Sequence, residues 1–129
     1  MQSRAGFSLI ELLIVIAIIG IITTIAVPLL LSTRRAALDE KARQSVRVVM
    51  SAQQAYMLRY SKYGEFSDLT LDAPPFLDSR FVDGGADLGN GIMVTVNTAD
   101  NGQHFTVQAE NPQGGHNYSG DETFVIQEN

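Results

Sequence analysis

Residues 6–35 read GFSLIELLIVIAIIGIITTIAVPLLLSTRR, and the change of character inside this stretch organises the whole chain. After Glu11, the run Leu12 to Leu31 holds twenty residues without a charge. As a helix rising about 1.5 Å per residue, that run is long enough to cross a hydrocarbon layer of roughly 30 Å. A cleaved secretory signal has a shorter apolar stretch, about 7 to 15 residues, followed by a small-residue cleavage site, and neither is present. Any cut therefore falls before the run. Arg4 precedes it and Arg34 and Arg35 follow it, so flanking charge does not orient it. Glu11 is the anomaly, because a carboxylate in an apolar helix costs on the order of 3 kcal/mol at a bilayer centre and less near its edge. At this point two readings are open. Glu11 either needs a partner, or is an interfacial residue held by the positive end of the helix dipole.

Gly6-Phe7-Ser8-Leu9-Ile10-Glu11, placed directly before a long apolar helix, resembles the signature shared by type IV prepilins and the pseudopilins of type II secretion. The resemblance implies that residues 1–6 are a leader, removed by the membrane aspartic protease prepilin peptidase, which cuts between Gly6 and Phe7 and N-methylates Phe7. Glu11 then occupies the position where the family carries a glutamate that neutralises the N-terminal amine of a neighbouring subunit. Physical chemistry fits that role: an ammonium and a carboxylate, each costly in apolar surroundings, stabilise one another when paired and fix the register between helices. Gly20 and Pro28 match places where the family carries Gly and Pro and where its helix melts in assembled filaments. Pro28 also removes one helical hydrogen bond and clashes with the preceding turn, at about 3 kcal/mol in a helix interior, so a kink or local unwinding is expected. Thr23 and Thr24 are the expected source of replacement hydrogen bonds for the freed backbone groups.

Beyond Ser32 the pattern becomes one-sided. Ala42, Val46, Val49, Gln53, Tyr56, Met57 and Tyr60 recur at three- and four-residue steps, as on the buried face of an amphipathic helix. No strong breaker separates Pro28 from Gly64, so a single helix from about Phe7 to Lys62, roughly 80 Å long, is expected. Residues 7–31 form its apolar half and residues 32–63 its amphipathic half. Residues 64–129 form an acidic head. Within it, Pro74-Pro75, Gly84-Gly85 and Gly89-Asn90-Gly91 mark residues 64–91 as a loop. Ile92 to Thr98 and His104 to Glu110 read as strands around the turn Asp100-Asn101-Gly102, with a third strand from Thr123 to Gln127 after a loop from Asn111 to Glu122. The expected fold is α+β: a long kinked N-terminal helix whose C-terminal half packs on a small antiparallel sheet of about three strands. That plan is also the plan of the pilin family.

The formal net charge of −5 conceals a division. Residues 32–63 carry seven basic side chains against two acids, giving +5, and residues 64–129 carry Arg80 against eleven acids, giving −10. Such a chain can associate head to stalk. Arg34, Arg35, Lys41, Arg43 and Arg47 are assigned to lipid headgroups and neighbouring acidic heads rather than to nucleic acid. Tyr56, Tyr60, Tyr63 and Phe66 are assigned to core packing. Cysteine is absent, which excludes disulfides, thiolate metal sites and cysteine nucleophiles. Asp83, Asp87 and Asn90 offer oxygen ligands, but their spacing matches no calcium loop. His104 and His116 have no second histidine at ligand spacing and no triad around them. No metal, cofactor or catalytic residue is therefore expected, and the chain is read as a non-enzyme. Asn117-Tyr118-Ser119 is a formal glycosylation triplet.

The expected role is structural. The chain is read as a single-pass protein of the inner (cytoplasmic) membrane with its head in the periplasm. An inner-membrane assembly platform and ATPase motor would draw it from the lipid into a homo-oligomeric helical filament at the cell surface. A pilus subunit is favoured over a pseudopilin of a periplasmic type II secretion filament, although the two share every N-terminal feature used here. The head departs from many pilins in lacking a cysteine pair near the C-terminus. A membrane-anchored periplasmic binding module is the alternative of a different class, and an anchor has no use for Gly6-Phe7 or Glu11.

Overall fold

The computed structural model describes residues 6–113 and 115–129. Its elements are a long helix α1 (Leu9–Tyr60), a short helix α2 (Phe66–Leu71), and the strands β1 (Ala86–Asp87), β2 (Met93–Ala99), β3 (His104–Glu110), β4 (Tyr118–Asp121) and β5 (Gln127–Glu128). Every pairing is antiparallel and the sheet order follows the chain, β1-β2-β3-β4-β5. The architecture is α+β, with five strands in place of the expected three. Two compact units divide between Arg34 and Arg35.

The first unit is helical from Leu9 onward, and its apolar side chains from Leu9 to Leu31 are exposed. Leu, Ile and Val occupy all sides of the helix, so no single face can be buried at the expense of another. Pro28 lies inside α1. The hydroxyls of Thr23 and Thr24 donate to the carbonyls of Ile19 and Gly20, at 2.7 and 2.8 Å. The carbonyl whose donor one turn ahead is lost to proline is that of Thr24, so these threonines do not fill the role expected of them.

In the second unit the amphipathic half of α1 buries Leu38, Ala42, Val46, Val49 and Tyr56 in one core with the sheet. The strand residues alternate as a half-buried sheet requires: Val94 and Val96 in β2, and Phe105, Val107 and Ala109 in β3, point into the core. The β2–β3 turn follows from Asp100, Asn101 and Gly102, which all take positive φ. Gly102 is also required by proximity, since a Cβ there would lie 2.7 Å from the Tyr63 carbonyl; its own carbonyl accepts the Tyr63 N–H at 2.8 Å. Gln53, read from sequence as part of the apolar face, is completely buried. Its amide group brackets Gly64, donating to the Gly64 carbonyl at 2.6 Å and accepting the Gly64 N–H at 3.0 Å. A buried amide paired on both sides costs little, whereas an unpaired one is expensive.

The structure departs from the sequence expectation where contacts distant in the chain decide the conformation. Residues 66–71 are helical instead of loop: Asp68 Oδ2 accepts the Glu65 N–H at 3.1 Å, and Glu65 Oε1 accepts the Thr98 N–H and hydroxyl, so the short helix is fixed to the end of β2. The strand expected at Thr123–Gln127 begins only at Gln127, and β4 lies inside the segment read as a loop. Gly120 in β4 weakens the strand signal, yet it lets α1 lie close: a Cβ there would lie 2.4 Å from Met50 Sδ and 3.2 Å from Val46 Cγ1, so a larger residue would displace the Met50 side chain. Helix α1 ends at Tyr60, two residues before the expected Lys62.

Candidate functional site

Gly6 and Phe7 are exposed and precede the helix, Phe7 being 90 % exposed, and nothing lies within 4 Å of a Cβ built on Gly6. The bond between them is thus presented on non-helical backbone ahead of Leu9. Ser8 stands directly before the first helical residue, Leu9. Glu11, three residues on, turns its carboxylate back so that Oε2 accepts the Ser8 N–H at 3.0 Å, while the Ser8 carbonyl accepts the Leu12 N–H at 3.3 Å. This is one half of a capping box, in which the glutamate of S-x-x-E satisfies a donor that the helix itself cannot. The sequence reading gave Glu11 a dipole or a partner and missed this bond, although the Ser8/Glu11 spacing carries the signal. The structure brings Ser8 and Glu11 together. Gly20 and Pro28 lie farther along the same exposed helix, with nothing within 4 Å of a Cβ built on Gly20.

Residues 1–27 match the family described as the prokaryotic N-terminal methylation motif. The chain carries a prokaryotic N-terminal methylation motif. Beyond the motif, the chain is 33 % identical over 69 residues to the type IV major pilin protein PilA of Myxococcus xanthus, a match covering 54 % of this chain and 31 % of the relative. It is 38 % identical over 63 residues to the type IV wide pilus major component PilA4 of Thermus thermophilus, covering 49 % of this chain and 48 % of that one. The chain thus spans about a third to a half of the length of the curated relatives it matches. Both of these relatives are named as type IV pilus proteins.

The remaining candidates in the head are bound into structure. Asp83 Oδ1 accepts the Ser67 N–H at 2.9 Å, in the first turn of α2, and Asp87 Oδ1 accepts the Gly89 N–H at 2.8 Å, fixing its own turn. Among the described residues no group of three His, Asp or Glu side chains converges as metal ligands do. His104 Nδ1 lies 2.8 Å from Glu122 and its Nε2 lies 3.6 Å from Asp100. The hydrogen bond to Glu122 raises the histidine above its ordinary value. His116 stands between Glu128, at 3.1 Å, and Asp39, at 3.9 Å. Asp39 anchors the preceding loop to α1, its Oδ1 accepting the Asn111 side-chain amide and the His116 N–H, both at 2.9 Å. Asn117, in the formal glycosylation triplet, is exposed, and its side-chain oxygen accepts the Asn111 N–H at 2.9 Å.

The aromatic residues divide. Tyr56 and Phe66 are buried, with the Tyr56 ring edge-on to Phe76 at 5.6 Å and the Phe66 ring 5.3 Å from Phe81. Tyr63 packs on Phe105 at 4.6 Å. Tyr60 stacks on Tyr56 at 4.6 Å but stays 42 % exposed, with the Arg59 guanidinium 5.5 Å from its centroid. Of the stalk cations in the second unit, Lys41 donates to the Leu88 carbonyl, Arg43 lies 3.8 Å from Glu40, and Arg47 meets Gln44 at 3.4 Å.

Proposed function

We propose that the chain is the precursor of a structural, non-enzymatic subunit of a type IV pilus-like filament. Prepilin peptidase cuts between Gly6 and Phe7 and methylates the new amine, and the subunit waits in the inner membrane with residues 7–31 in lipid and its head in the periplasm. An assembly platform and ATPase then transfer it into the filament. The observation that carries this reading is the methylation motif, residues 1–27, joined to an apolar half of α1 in which none of residues 9–31 is buried. Exchange of lipid for neighbouring helices changes hydrophobic energy little, so specificity must come from packing and from polar pairs. Glu11 supplies such a pair. While the subunit is stored, its carboxylate satisfies its own Ser8 N–H; on assembly it turns to the ammonium of a neighbouring Phe7. Gly20 and Pro28 mark where the helix loosens inside the filament.

Intact-mass and N-terminal analysis of sheared cell-surface material tests the reading. A chain beginning at N-methyl-Phe7 in the sheared fraction is expected. The same mass confined to the envelope points to a periplasmic pseudopilus, and an uncut chain overturns processing. Glu11→Ala is expected to insert normally and to lower filament yield at least tenfold; a normal yield removes the pairing role.

A further inference from the structure

Beside the head half of α1 runs an open groove of about 380 Å³, lined by Arg47, Val48, Ser51, Ala52, Ala55 and Phe76. Five of these recur at one-, three- and four-residue steps on one side of the helix, and Val48 is 40 % exposed although it is apolar. Cations stand around it. The Arg59 guanidinium lies 6.0 Å from the Phe76 ring centroid, and Lys41 and Arg80 line an adjoining cavity that also contains Val48. Arg59 and Arg80 face Asp72 and Asp78, at 3.6 and 2.8 Å, whereas Arg47 bonds the neutral Gln44. The surface therefore retains a positive excess over an apolar lining.

The segment joining β4 to β5 has the opposite character. Residues 121–128 include Asp121, Glu122 and Glu128 and no lysine or arginine. At its tip Phe124 and Val125 are 38 and 57 % exposed. Phe124 holds φ at +58°, a left-handed conformation that bulky residues avoid and that persists only where the surroundings impose it. Here they do: Asp121 Oδ1 accepts the Thr123 N–H at 2.9 Å, the Asp121 carbonyl accepts the Phe124 N–H at 2.9 Å, and the Phe124 ring rests 6.0 Å from Phe105. Val125 and the free edge of the Phe124 ring, whose other side packs toward Phe105, are thus presented on a fixed turn in an acidic frame, of which Glu122 and Glu128 face His104 and His116 at 2.8 and 3.1 Å.

We propose that the Phe124–Val125 turn of one copy docks into the Arg47–Phe76 groove of the next copy of this chain. The apolar tip meets the apolar lining, and the acids around it meet the arginines bordering the groove. Groove and turn are different surfaces, so the contact is heterologous. Each added copy leaves one groove and one turn free, which builds an open array instead of a closed dimer. The inference rests on the filament reading and names the surfaces that join its heads.

The chain has no cysteine, so engineered pairs report without background. Full-length chain bearing Ser51→Cys with Val125→Cys is assembled in cells, and sheared filaments are treated with a mild oxidant. A ladder of disulfide-linked multimers is expected, absent from either single variant, and Ala55→Cys with Val125→Cys covers a small offset along the groove. The two single variants, co-expressed and diluted into unaltered subunits, should give a disulfide-linked dimer, so an assembly defect in the double variant does not hide the contact. Filaments that give neither ladder nor dimer overturn the docking while leaving the filament reading intact. Failure of the unaltered chain to form filaments overturns that reading and the docking with it.

Discussion

Along α1, residues on either side of Arg35 stand in opposite relations to water. Ile18, Ile22 and Leu30 expose more than half of their surface, whereas Val46, Val49 and Gln53 expose none. The more hydrophobic half is the unburied one. Burial follows pattern and not hydropathy: a helix with one apolar stripe finds a sheet to cover it, while a helix apolar on every side has no single face to offer and must take its surroundings from lipid or from other copies. The comparison also separates two kinds of stability, one internal to the head and one supplied from outside.

Phe105→Ala should break the internal kind most severely. Its ring is enclosed between Tyr63 and Phe124, and truncation is expected to lower head stability by about 3 to 5 kcal/mol. Denaturant unfolding of the detergent-solubilised chain, followed by tyrosine fluorescence because tryptophan is absent, measures it. Gln53→Leu keeps the volume but strands the N–H and carbonyl of Gly64 in the core, at an expected cost of about 2 to 4 kcal/mol by the same assay.

A smaller effect concerns pH. The Glu122 hydrogen bond raises His104, so its contribution is complete below the ordinary value of 6.5 and fades as pH rises through the higher folded value. Glu122 is lowered, first by its own backbone N–H and then by His104, so its contribution is present above the ordinary 4.5 and fades as pH falls through the lower folded value. A shallow maximum in head stability between these limits should flatten in Glu122→Gln. The smallest effect belongs to the other half of the helix: Ile18→Ala should leave the head's unfolding midpoint unchanged. A shift there would show that the head depends on the apolar half, and the separation would fail.

Much of this plan was legible in the residues. The uncharged run from Leu12, the alternation in β2 and β3 and the Asp100-Asn101-Gly102 turn are local patterns with local causes. The capping bond from Glu11 is equally local, written in the Ser8/Glu11 spacing, although the dipole and partner readings of that carboxylate do not include it. What escaped the sequence depended on distant contacts. Helix α2 is held through Glu65 by Thr98, thirty-three positions away. Strand β4 contains a glycine whose reason lies in α1, and the groove at Phe76 exists only once α1 and the following loop are folded together.

Gly120 bears on how the head meets oxidants. The space a methyl group would need above it is taken by the sulfur of Met50, which is itself almost sealed from solvent. Peroxide would convert that thioether to a sulfoxide, adding an oxygen that seeks water and finds β4 at contact distance. The close fit shields Met50 from oxidants while the head is intact. Once the sulfur has been oxidised during a transient opening, the same fit hinders reclosure, so oxidative damage to the head should be rare in onset and lasting in effect.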